Sequence, residues 1–243
     1  MTDDTTDLSR WTPPRRPDAA VLEGRYSRLE LLNEGHAEAL HAANAEYDAI
    51  WDHLPYGPFA DVAGYQDWMR KSAAGPDPRF HAIYDRDAGC WGGVASLMRI
   101  KPQAGSIEVG HINLAACLQK TRAATEAMYL LMKWAFQAGY RRYEWKCDAR
   151  NLGSRRAAER LGFSYEGIFR QAAVVKGRNR DTAWFAAIDA EWPALKAAFE
   201  TWLDPANFDA GGRHRLRLSD LTAPVRVARD PMLPAANDGQ SHS

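Results

Sequence analysis

Apolar residues recur along this 243-residue chain with two periods, and each period predicts a different element. Between 121 and 138, Ala124, Ala127, Met128, Leu131, Trp134, Ala135 and Ala138 fall three and four apart. That spacing puts them on one face of a helix, which Gly139 stops. Immediately downstream, Tyr143, Trp145 and Cys147 alternate with Arg142, Glu144, Lys146 and Asp148, the period of two expected of a strand with one buried face. With a strand expected over 106–114, this makes a strand, helix, strand unit. Further helices are predicted over 36–44, 61–73 and 191–203, and strands over 80–84, 94–100, 163–169, 172–176 and 182–188. The last two strands face each other across the basic run 176–181 like a hairpin. Ser154 reads as the N-cap of a short helix with Ala157, Ala158 and Leu161 inward and Gly162 as its left-handed stop. The order of elements implies a mixed α/β sheet covered by helices.

Residues 1–20 are polar and hold Pro13, Pro14 and Pro17, and are expected to form a flexible N-terminal segment. Residues 21–205 then form the folded domain. The stretch 206–243, rich in glycine, arginine and polar residues, is expected to be an irregular extension.

Charge changes the picture by subtraction. Lys plus Arg and Asp plus Glu number 31 each, so no overall field favours nucleic acid or an anionic membrane, and neither is expected as a partner. The three cysteines, Cys90, Cys117 and Cys147, have neither metal-ligand nor disulfide spacing, so no metal is expected and a reducing compartment is. No apolar stretch resembles a signal peptide or approaches the roughly 20 residues of a membrane span, and the chain reads as cytoplasmic.

The stretch 107–167 carries the chemistry. Gln119, Arg122 and Ala124 occupy the patterned positions of a phosphate loop, and Thr125, Glu126 and Ala127 lead on into a helix. Asn151, Ser154, Ala158, Leu161, Gly162, Phe163, Glu166 and Gly167 follow at fixed spacing. In these motifs the chain resembles the GNAT acetyltransferases, and within them the RimJ/RimL-like branch that acetylates protein amino termini. The likeness covers 22–203. It implies a mixed, mostly antiparallel central sheet with helices on both faces, an α/β (α+β) architecture. It also implies acetyl-CoA as cosubstrate, held by Leu114, Gln119, Lys120, Thr121, Arg122, Ala123, Ala124, Thr125, Asn151 and Ser154. The physical reason is that free N–H groups and the positive end of a helix dipole attract phosphate. Arg122 departs from the pattern, where glycine is usual; it must point away or contact phosphate directly.

Acyl transfer from a thioester to an amine needs an uncharged nucleophile and a proton for the departing thiolate. Glu108 and His111, on the strand that lines the acceptor cleft in the resembled family, are the candidate bases. Strand alternation puts them on opposite faces, so only one is expected to act, with a water relay as competitor. Ser154 is the first candidate acid and Tyr165 the second. Trp51, Tyr56 and Phe59 lie in a loop that closes one side of the acceptor site in that family. The acceptor is a protein N-terminal α-amine or a small-molecule amine, and the resemblance admits a homodimer. The competing reading is a catalytically inactive CoA-binding or regulatory module, motivated by Arg122.

Overall fold

The 122–137 helix is apolar on more than one face, and the fold is built around it. A computed structural model describes residues 7–45, 48–73 and 75–234. Arg122–Gln137 forms helix α3, with six helices of the α type in chain order: α1 Ala37–Asn44, α2 Val62–Ala73, α3, α4 Leu152–Arg160, α5 Trp192–Leu203 and α6 Leu218–Thr222. The strands are β1 Val21–Glu23, β2 Ser27–Leu31, β3 Arg79–Asp85, β4 Cys90–Lys101, β5 Ser106–Leu114, β6 Arg142–Asp148, β7 Ser164–Val175 and β8 Arg178–Ile188. They join in one sheet in the order β1-β2-β3-β4-β5-β6-β8-β7, in which, among the described residues, only β5 and β6 run parallel. Helices cover both faces, as the resemblance implies.

One apolar cluster lies under α3, α4 and α5 and takes Leu29, Ile83, Leu97, Ile107, Val109, Tyr143, Trp145 and Phe185 from the sheet. The second lies under α1 and α2 and takes Phe80, Ala82 and Val94. The predicted α3 stripe is narrower than the buried surface. Tyr129 and Phe136, outside that stripe, stack on Phe199 and Trp192 of α5. Glu126 is buried on α3 as well, because its carboxylate accepts the N–H groups of Arg25, Tyr26 and Ser27, at 2.9, 2.6 and 2.7 Å. A Cβ on Gly24 would lie 2.3 Å from that carboxylate, which would have to shift off the turn it caps.

Three local expectations change. Strands expected over 163–169 and 172–176 are one strand, β7, kinked where its register with β8 shifts between Phe169 and Ala173. Gln171 adopts φ +50° there and donates its N–H to Asp181 Oδ1 instead of to the ladder. The N-cap of α4 is Asn151, whose Oδ1 accepts from Ser154 N at 2.9 Å; Ser154 lies inside the helix. In the stretch 206–234, α6 interrupts irregular backbone, with Leu218, Thr222 and Asp230 buried. At the other end, residues 7–20 lie over the surface, where Tyr140 donates to the Arg15 carbonyl and Arg141 sits over Trp11. Residues 1–6 and 235–243 of the two expected tails lie outside the described residues. No helix of the described residues is long and apolar enough to cross a membrane.

Burial in β3 pushes the His81 imidazole down to about 4, against which the Ala19 carbonyl pulls only weakly. Below about pH 6.5 the unfolded chain protonates this histidine while the folded one does not, so stability rises with pH over this window. Thermal unfolding followed from pH 7 to pH 4 should show Tm falling, and His81→Gln should flatten part of that fall.

Candidate active site

The parallel ladder between β5 and β6 runs from Ser106↔Arg142 to Val109↔Trp145 and ends there, although β5 continues to Leu114 and β6 to Asp148. Beyond Val109 the two strands part, leaving a wedge with backbone groups on its walls. The cause is on the other side of β5. Gly110 pairs with Ser96 and Asn113 with Val94, so His111 and Ile112 together face Ala95 alone. This is a β-bulge, with His111 at φ +51°.

The extra residue reverses the facing of everything after it. Ile107 and Val109 belong to the cluster under α3, so Glu108 points to the opposite face. His111 points there too: its ring lies 5.1 Å from Phe80 and 5.5 Å from Tyr56, both on the α1 and α2 side. The expectation that Glu108 and His111 occupy opposite faces is therefore corrected by the bulge, which no alternation rule contains.

Their electrostatics differ. The Glu108 side chain is 2% exposed and pairs with Arg99 at 2.6 Å and with Lys146 at 2.8 Å. Lys146 also holds Glu144 at 2.6 Å and lies over the Trp184 ring. Both carboxylate oxygens are thus committed to cations. The His111 imidazole is pushed down to about 4 by burial and then by the positive charges of Arg99 and Arg180. It is neutral at physiological pH and keeps a nitrogen lone pair.

The loop leading from β5 to α3 folds on itself. Leu118 and Gln119 N–H groups both donate to the Ala115 carbonyl, and Gln119 Nε2 donates to the Leu114 carbonyl at 2.9 Å. Lys120 is exposed at φ +63°. Thr121 caps α3: its Oγ1 accepts from Ala124 N and donates to the Leu118 carbonyl. Thr125 Oγ1 donates back to the Thr121 carbonyl. The N–H groups of Arg122 and Ala123 have no acceptor among the described residues, the arrangement that favours an anion at a helix start. The Arg122 side chain turns away from it. Its Nε donates to Asp87 at 2.7 Å and its guanidinium lies 4.5 Å over the Tyr26 ring. The departure from glycine is accommodated without occupying the loop.

On the far wall, Asn151 and Ser154 open α4. Trp145, the last β6 residue paired to β5, donates its Nε1–H to Ser154 Oγ at 3.0 Å. That bond places the serine where the strands part, and its hydroxyl also bonds the neighbouring Cys147 sulfur. Cys147 sits nearby, but burial pushes its thiol up to about 11, so it is no thiolate at neutral pH. Tyr165 is elsewhere. It pairs in register with Phe185, which in turn pairs with Trp145, so it stands two strands from the wedge, edge-on to Phe185 and beneath Arg155. Around the wedge, His111 lies on the α1 and α2 side of the sheet, Ser154 and Asn151 open α4 beside Trp145, and Tyr165 stands two strands away.

Beside the end of β6 a cavity of about 530 Å³ opens, with His53 and Asp148 on one side and the β7–β8 hairpin on the other. Lys176 fastens that hairpin across the gap, donating to the carbonyls of Trp51 and Gly57 at 2.9 Å each. Sequence reasoning missed this tie, and it missed Arg99 and Lys146 as partners of Glu108. Only Lys146 left a signal, a lysine in the middle of an otherwise half-buried strand.

The chain matches the Acetyltransferase (GNAT) domain family model over residues 28–164. Among solved structures it is similar to a GCN5-related N-acetyltransferase from Brucella melitensis, with 46% identity, 89% of this chain and 100% of that chain covered, and a TM-score of 0.86. A GNAT-family protein from Chromobacterium violaceum shares 40% identity over 80% of this chain and 98% of its own, with a TM-score of 0.74. The ribosomal L7/L12 α-N-protein acetyltransferase RimL shares the fold at 21% identity, covering 71% of this chain and 98% of its own, with a TM-score of 0.61. None of the curated proteins matches the chain.

Proposed function

Because the chain belongs to the GNAT acetyltransferase family, we propose that it transfers an acetyl group from acetyl-CoA to a primary amine by direct attack in a ternary complex. The observation that carries this reading is the wedge between β5 and β6, with an unpaired helix N-terminus at one end and a neutral histidine at the other. Acetyl-CoA, when bound, supplies the acyl group activated as a thioester. The free N–H groups of Arg122 and Ala123 fit its pyrophosphate, and the loop from Gln119 to Thr125 shapes that seat. The parted edge of β5 up to Leu114 offers backbone groups to an extended, amide-bearing arm and to the thioester carbonyl. Asn151 Oδ1 is spent on its cap, which leaves the amide Nδ2 to donate into the wedge.

His111 takes the proton from the incoming ammonium, since Glu108 is bound to two cations. Ser154 donates a hydrogen bond to the departing thiolate, with its oxygen held by Trp145, and the thiolate takes its proton from solvent water. The protonated Cys147 supports direct attack over an acyl-enzyme route. The series Asn151, Ser154, Leu161, Gly162, Phe163 supports the RimJ/RimL-like likeness. The Lys176 tie, closing the aromatic loop over the acceptor side, favours a small amine over a protein terminus. The inactive-module reading drew on Arg122 alone, and the guanidinium turned toward Asp87 removes that motive.

Calorimetric titration with acetyl-CoA tests the cofactor half. Wild type is expected to bind in the micromolar range, about −8 kcal/mol, and Asn151→Ala about tenfold more weakly, one lost donor. No heat of binding with the wild type would overturn the proposal.

A further inference from the structure

The cavity beside β6 carries more positive charge than its own acids neutralise. Asp148 is used by Arg150 at 2.9 Å and approached by His53 at 3.6 Å. Asp181, at the base of the hairpin, accepts from Gln171 N and Asn179 Nδ2. Asp52 lines the rim and is exposed. Opposite them, Lys176 donates only to carbonyls, and Arg178 and Arg180 pair with no carboxylate among the described residues. The Nε of Arg180 is shielded from solvent and has no acceptor among the described residues.

A shielded guanidinium donor without a partner is costly unless something else supplies the anion. Arg180 also stands close enough to His111 and Cys147 for its charge to act on both. Arg180 lies an odd number of positions from Ala183 and Phe185, which belong to the cluster under α3, so it is on the face of the sheet that carries Glu108 and His111. A planar guanidinium matches carboxylate or phosphate with two parallel hydrogen bonds.

We infer that the acceptor is a small primary amine that also bears a carboxylate or phosphate, held by Arg180 with Arg178 at the rim while the amine reaches His111. This deepens the proposed function and rests on it, since it assigns the acceptor for the same wedge. It also accounts for the basic run 176–181: Lys176 closes the hairpin, and the two arginines read the ligand.

The test is calorimetry of the full chain with three probes of matched length, propylamine, β-alanine and 2-aminoethylphosphonate, without acetyl-CoA. The anionic probes are expected to bind at least about tenfold tighter than propylamine, the worth of one charge-assisted pair. Which of the two binds tighter separates a carboxylate from a phosphate site. Arg180→Gln should abolish the preference and Arg180→Lys restore only part of it, since lysine brings charge without the fork; unchanged circular dichroism verifies the fold, and Arg178→Gln gives a second variant at the rim. Thiol release with the same probes should show the same ranking in kcat/KM. Equal binding of propylamine and the anionic probes, or a preference that survives Arg180→Gln, overturns the inference. Acetyl-CoA titration of the wild type reads the proposed function separately, so the two failures are distinguishable.

Discussion

Asp230→Ala is expected to lower the free energy of unfolding by about 3–5 kcal/mol, the cost of stranding a buried charge. Asp230 and Arg155 are 0% and 1% exposed and meet through two parallel contacts of 2.5 Å. Arg155 spends a further donor on the Ala149 carbonyl, and the Asp230 N–H donates to Glu159 Oε1, which shares its carboxylate with Arg226. The guanidinium is itself buried, so removing the aspartate strands its charge away from bulk solvent. The double variant Arg155→Met with Asp230→Leu should recover most of the loss, because two apolar side chains fill the space without leaving a charge. Denaturant unfolding of the three variants measures this; a single-variant loss below about 1 kcal/mol would contradict it. The consequence reaches the site, since Arg155 follows Ser154 on α4. Asp230, far beyond α5 in the chain, thereby fixes the helix that carries Ser154.

His111→Asn should lower kcat about 100-fold or more, the usual range for a positioned base, with acetyl-CoA affinity unchanged. Asparagine is chosen because position 111 is left-handed, a conformation asparagine tolerates and alanine does not. The pH profile gives the sign. A base acts only when unprotonated, and burial holds this imidazole near 4. Wild-type kcat should therefore be flat through neutrality and fall only as pH drops through about 4, and the variant should lose that limb. Glu108→Gln should leave the limb in place, because the carboxylate is tied to Arg99 and Lys146. A His111→Asn enzyme within threefold of wild type would assign the proton to a water relay.

Periodicity made α3, β6 and the strand, helix, strand unit legible, because burying one face imposes a repeat that the chain records locally. The starts of α3 and α4 were legible for a related reason, since each cap is set by residues three positions apart, Thr121 with Ala124 and Asn151 with Ser154. Features decided by distant partners were not. Short β1 and β2 carry charged residues at three of their eight positions, and Glu126 of α3, 99 to 101 residues downstream, caps the turn between them. Arg155 looks like one more solvated arginine until Asp230, 75 residues away, is placed against it.

The sequence by itself determined the architecture, the family likeness and the candidate residues, because those follow from short-range patterns of burial and motif. Only the tertiary structure decided which of them meet. The bulge at His111 turned the histidine onto the Glu108 face, Asp87 and Tyr26 drew Arg122 off the phosphate loop, and strand order removed Tyr165 from the wedge. Each outcome depends on contacts between segments far apart in the chain, and a local pattern carries no information about the partner it will find.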